Sequence, residues 1–180
     1  MALIIMAMAT SMLSGPLMRL GLGTKRKSRL QDALSSKLFV PDLQAQTRRH
    51  AIEALAASAA EVEGLDPQAV TAAAWSREEA MGTGIGNGVA IPHARIPALN
   101  EPRIVVGISA AGLDFDAPDD IPAHVIFLIL TPQNDPCAHL DIVSGIARLF
   151  RDRSMLDRFL TVGSFTDFLA LVQTGVQWKR

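Results

Sequence analysis

Residues 124–130 read HVIFLIL, a run with a polar side chain only at its first position. A short, almost wholly apolar run reads as a strand buried on both faces, and each face needs a covering layer. A second β-rich run, Arg103 to Ser109, supplies a neighbour. The turn-rich stretch Asp114 to Pro122 connects the two. Helical patterns lie on either side. Ile52, Leu55, Ala56 and Ala59 repeat at helical spacing within Thr47 to Val62. Asp66-Pro67 starts a second helix to about Ala80, with Asp as N-cap and Pro at the first helical position. Asp135-Pro136 repeats that signature, and shorter helices at Ser154–Leu160 and Ser164–Val172 close the chain. Helices and strands intermix, so the expected class is α/β, a mixed β-sheet flanked by helices.

Composition narrows what such a chain does. It is 180 residues long, 49% hydrophobic and 19% charged, enough apolar material for one compact core. A formal net charge of -1 and an aromatic content of 5%, with no tyrosine, speak against nucleic acid as a partner. Cys137 is the only cysteine, which excludes an internal disulfide or a cysteine-rich zinc site.

Residues 1–29 differ from residues 30–180 and form a separate region. The stretch ALIIMAMATSMLSGPLMRL, residues 2–20, has no charge before Arg19 and reads as an apolar N-terminal helix preceding the α/β domain. Its nineteen residues match the thickness of a hydrocarbon core. Lys25, Arg26, Lys27 and Arg29 follow, which by the positive-inside rule puts the rest of the chain in the cytoplasm. A cleaved signal peptide fits poorly, because the start is not basic and cleavage after Ala7-Met8-Ala9 leaves too short an apolar stretch. A membrane helix and a mis-assigned or loose start both stay open.

The chemistry concentrates in Arg77 to Arg95, REEAMGTGIGNGVAIPHAR. Four glycines between Gly82 and Gly88 read as a loop whose backbone approaches a bulky anion and points N–H groups at it. No Gly-Lys-Ser/Thr follows, so this is not a nucleotide triphosphate loop. Val89 to Ile91 is extended, and Pro92 stiffens the approach to His93. A neutral imidazole on rigid backbone is a reasonable phosphoryl acceptor. His139 falls in the first turn of the helix opened by Pro136. It shares a face with Ile142, Val143, Ile146, Leu149 and Phe150, and so points inward near the positive helix end. Arg77 ends the second helix. It serves either as a helix C-terminal cation or as a bidentate partner for phosphate. Glu78 and Glu79 read as solvated helix residues that orient Arg77 at most. Arg95 is placed to steer an acidic or phosphorylated partner. His50 and His124 read as structural, and Cys137 has no neighbour that would make it a nucleophile. Two histidines without a carboxylate make a weak metal site, so no metal or cofactor is expected.

These residues resemble the fructose/mannitol-type enzyme IIA family of the sugar phosphotransferase system, including its nitrogen-regulatory members. The resemblance spans about Leu30 to Val172. It rests on TRRHAIEALAASAA, SREEAMGTGIGNGVAIPHAR, RIVVGISAAGLDFDAPD with HVIFLILTP, and CAHLDIVSGIARLFRD. It implies that His93 is phosphorylated, that His139 is a second active-site histidine and that Arg77 assists. It implies HPr as phosphoryl donor, and an enzyme IIB domain or a regulated transporter as acceptor. The family often follows its histidine with Gly-Lys; here Ala94-Arg95 stands instead. TSMLSGPLMRL weakly resembles the last membrane helix of cation/proton antiporters, which implies an alternative role as a regulatory module of such a transporter.

Overall fold

The computed structural model describes residues 29–177. The expected apolar helix at residues 2–20 lies outside the described residues. Among those described, no helix is long and apolar enough to cross a membrane.

The described residues open with a single helical turn, α1 (Arg29–Asp32), then β1 (Leu34–Val40) and two helices, α2 (Arg48–Glu63) and α3 (Pro67–Ala80). Three short strands follow: β2 (Gly84–Gly86), β3 (Val89–Ala90) and β4 (His93–Arg95). Two long strands, β5 (Arg103–Leu113) and β6 (Ala123–Thr131), lead into α4 (Pro136–Leu149), α5 (Ser154–Leu160) and α6 (Phe165–Gln177).

The strands form one sheet in the order β1-β5-β6-β3-β2, with β4 also paired to β6. β1 runs parallel to β5, β5 antiparallel to β6, and β3 and β4 both parallel to β6. The sheet is therefore mixed, as expected. β6 explains the layering. Ile126, Leu128 and Leu130 enter one core, with Leu55, Ala56, Val70 and Ala74 of α2 and α3. Val125, Phe127 and Ile129 enter the other, with Ile142, Ile146, Phe159 and Phe168 of α4 to α6. Successive residues of a strand face opposite ways, so an unbroken apolar run is what two covering layers require.

The helix starts follow the local chemistry. The Thr47 side chain accepts from His50 N, and α2 stops at Gly64 with φ 68. Asp66 accepts from Gln68 N, and Asp135 from Ala138 N, each followed by the expected Pro. α6 runs on to Gln177, past the expected end at Val172.

Three elements depart from the sequence reading. β1 was not expected, because LSSKLFV carries Ser35, Ser36 and Lys37 at a sheet edge with irregular register. β4 is only three residues and exists through its pairing with β6. The Gly82–Gly88 segment is not simply a loop. β2 pairs antiparallel with β3 across Asn87 and Gly88, both at positive φ (53 and 75).

Candidate functional site

β4 lies at the sheet's edge, and its pairing with β6 fixes where its side chains point. His93 stands opposite Ile129, Ala94 opposite Leu130 and Arg95 opposite Thr131. Ala94 packs with Leu130 in the α2/α3 core. His93 and Arg95 therefore turn toward the α4 layer, where Ile129 points. β6 then passes through residues 132–135 into α4, which places the first turn of α4 beside β4. The His139 ring consequently meets the His93 ring at 4.4 Å between centroids, tilted by 38°.

Arg77 arrives from the opposite layer. It sits in the last turn of α3 and reaches round the open edge of β4 to His93. Its Nε–H donates to His93 Nε2 at 3.1 Å. His93 Nδ1 lies 3.2 Å from the carbonyl of Ile91. A guanidinium only donates and a carbonyl only accepts, so Nδ1 carries the ring proton and Nε2 holds the lone pair. His93, His139, Arg77, Arg95, Ser76 and Thr131 line one open cleft of about 630 Å³.

The electrostatics keep both rings neutral. Burial holds His93 below the ordinary histidine range, aided by the charges of Arg77 and Arg95, while its bond to Ile91 acts the other way. His139 is pushed down to about 4, first by burial and then by His93, Arg95 and Arg77. The cleft thus offers one imidazole lone pair, a second imidazole and two guanidinium groups. That set suits a doubly charged tetrahedral anion.

The expected trio of His93, His139 and Arg77 is brought together. Two other expectations are corrected. The glycine segment does not line the cleft. Gly84 N donates to the Phe115 carbonyl, Asn87 N to Asp119 and Thr83 N to Glu78, so these N–H groups are already used. A Cβ on Gly84 would come within 2.8 Å of the Phe115 carbonyl oxygen. Close packing against the 114–120 connection, not an anion, is what requires glycine there. Glu78 is not solvated but 1% exposed, while Glu79 is exposed as expected. His50 is exposed, and His124 Nδ1 lies 2.9 Å from the Ser109 carbonyl. Cys137 is exposed. Among the described residues no group of three or more His, Cys, Asp or Glu side chains is arranged to hold a metal. Ser76 and Thr131 also line the cleft, and no motif marks either. Thr131 is the first hydroxyl after the apolar run of β6, the one available signal for it.

Residues 32–175 match the family described as "Phosphoenolpyruvate-dependent sugar phosphotransferase system, EIIA 2". A nitrogen regulatory protein of Bradyrhizobium diazoefficiens is 33% identical over 129 residues, covering 70% of this chain and 82% of the relative. The PTS system fructose-specific EIIA component of Haloferax volcanii is 36% identical over 119 residues, covering 66% of this chain and 77% of the relative. The crystal structure of nitrogen regulatory protein IIA-Ntr from Neisseria meningitidis aligns with a TM-score of 0.74 at 27% identity, covering 79% of this chain and 97% of that one.

Proposed function

The chain belongs to the EIIA 2 family of the phosphoenolpyruvate-dependent sugar phosphotransferase system and is a phosphocarrier of that type, and on that premise we propose that Nε2 of His93 is the atom that takes the phosphoryl group. One contact supports this reading above the others. Arg77 Nε–H is aimed at the lone pair of His93 Nε2, and the His139 ring lies against the same imidazole.

The donor is the phosphohistidine of HPr, and the acceptor is an enzyme IIB domain or a regulated target. In the forward step Nε2 attacks phosphorus in line. The bond from phosphorus to the donor's ring nitrogen breaks, and that electron pair returns to the donor imidazole. The Arg77 guanidinium moves from the lone pair to the phosphoryl oxygens, where it bonds bidentately. The ring proton stays on Nδ1, hydrogen-bonded to the Ile91 carbonyl, so the phosphorylated ring is cationic and remains a good leaving group for the next transfer. His139 donates its single N–H to a phosphoryl oxygen, and Arg95 adds charge at the cleft mouth. The donors are already gathered around the cleft, so only a short shift of Arg77 is needed, and such placement is the main way a protein assists phosphoryl transfer.

Incubation with enzyme I, HPr and labelled phosphoenolpyruvate should label the chain at an acid-labile site. His93→Ala should abolish the label. A label that persists in that variant rules His93 out.

A further inference from the structure

Glu78 is a charged side chain with no role in the chemistry above, yet it is 1% exposed. Burying a carboxylate is costly unless its oxygens are satisfied. Here both are: Thr83 N–H donates to Oε1 at 3.2 Å and the Thr83 hydroxyl donates to Oε2. Arg48 Nη1 stands 3.7 Å from Oε1 and also pairs with Asp116. The Thr83 carbonyl in turn accepts the N–H of Ile91 at 3.0 Å. The Ile91 carbonyl accepts Nδ1–H of His93. Glu78 is also the chain neighbour of Arg77, whose Nε–H holds the other ring nitrogen.

Two routes thus leave adjacent residues of α3 and end on the two nitrogens of one imidazole. One is direct, through Arg77. The other runs through Thr83 and Ile91. We propose that Glu78 is a positioning residue for phosphoryl transfer: by clamping Thr83 it sets the Ile91 carbonyl that fixes the tautomer of His93, with the lone pair on Nε2 toward the cleft. The proposal rests on the reading of His93 as the acceptor. A ring with its proton on Nε2 has no lone pair in the cleft and cannot attack.

The test compares two substitutions by two readouts. Glu78→Met keeps bulk but removes both acceptors of Thr83. Glu78→Gln can still accept from Thr83 N–H through its carbonyl and donate to the Thr83 hydroxyl from its amide nitrogen. Ring ¹⁵N shifts of His93 in the unphosphorylated protein report the tautomer. Single-turnover transfer from phosphorylated HPr reports the rate. Glu78→Met should give a mixed tautomer and a transfer step slowed by about tenfold or more at saturating donor, the scale expected when a reacting group loses alignment. Glu78→Gln should keep both close to wild type. Val172→Ala, a truncation in the opposite core, should lower stability without moving either readout. A folded Glu78→Met with the wild-type tautomer, or with a wild-type rate, overturns the proposal. If that variant does not fold, Thr83→Val decides: a smaller shift of the same sign supports the clamp, and an unchanged tautomer refutes it. The tautomer is read without phosphate. A label surviving in His93→Ala would rule out His93 as the acceptor and leave the measured effect of Glu78 on the tautomer standing, so the two failures are distinguishable.

Discussion

His93 and His124 each set Nδ1 against a backbone carbonyl and end in different surroundings. Both are half-buried on strands of one sheet, and each ring holds Nδ1 near a backbone carbonyl, at 3.2 Å to Ile91 and 2.9 Å to Ser109. The difference lies at the far nitrogen. Nε2 of His93 faces Arg77 and the His139 ring neighbours it. The far edge of His124 lies against Gly112, where an added Cβ would come within 3.0 Å of Nε2. A carbonyl on Nδ1 is how a folded protein satisfies a half-buried imidazole, and it carries no functional meaning alone. On the proposed reading, what makes such a ring an acceptor is the charge that other elements gather around Nε2.

Removing each ring in turn should give the largest effect. His93→Ala should lose the phosphoryl label completely, and His124→Ala should keep it at some cost in stability. Loss of label in a folded His124→Ala would mean that the far nitrogen is not what separates the two sites. Arg77→Ala comes next. It should slow transfer about 10²–10³-fold in a single-turnover assay, the usual loss for one preorganised donor to developing charge. Arg77→Lys should recover only part, because an ammonium keeps the charge but not the bidentate fork. A wild-type rate in Arg77→Ala would reduce Arg77 to a helix C-terminal cation.

How much of this was legible depended on the range of the interactions. The starts at Asp66-Pro67 and Asp135-Pro136 were readable because capping is settled within a few residues. The apolar run of β6 announced two covering layers by itself. The inward phase of His139 followed from counting along α4. β4 was not readable, since three residues carry no period and the strand exists only because β6 lies beside it. The approach of Arg77 around the sheet edge from the other layer was equally invisible. Asn87-Gly88 did signal a hairpin, but the density of glycines around it suggested an anion cradle instead. Burial of Glu78 depends on Thr83 and Arg48 closing over it, and local sequence places Glu78 on a helix without saying what packs there.

Acid should separate the cleft from the rest of the fold more gently. Both cleft histidines have lowered pKa values in the folded protein, His139 to about 4 against an ordinary 6.5. Above the ordinary value both folded and unfolded chains are neutral there, and the group contributes no pH dependence. As pH falls from 6.5 to about 4, the unfolded chain takes a proton that folded His139 refuses. Stability must therefore decline through that window, with His93 adding in the same direction. His139→Gln should make the decline shallower, measured as the change in urea midpoint with pH. An equally steep decline in that variant would assign the acid sensitivity elsewhere.

The smallest effect concerns Ala94, where the family pattern often has glycine. If backbone freedom beside the histidine mattered for transfer, Ala94→Gly would speed it. The packing argues otherwise. Ala94 is 4% exposed, its methyl group packs in the α2/α3 core, and His93 is held through its own ring nitrogens. Glycine inside a strand loses that packing and more conformational freedom on folding, a cost of about 0.5–1 kcal/mol. Ala94→Gly should therefore lower the urea midpoint slightly and leave the single-turnover rate where it was. A faster transfer would show that alanine stiffens this β4 edge in a way the ring contacts do not already fix, and would make backbone freedom a second axis separating His93 from His124.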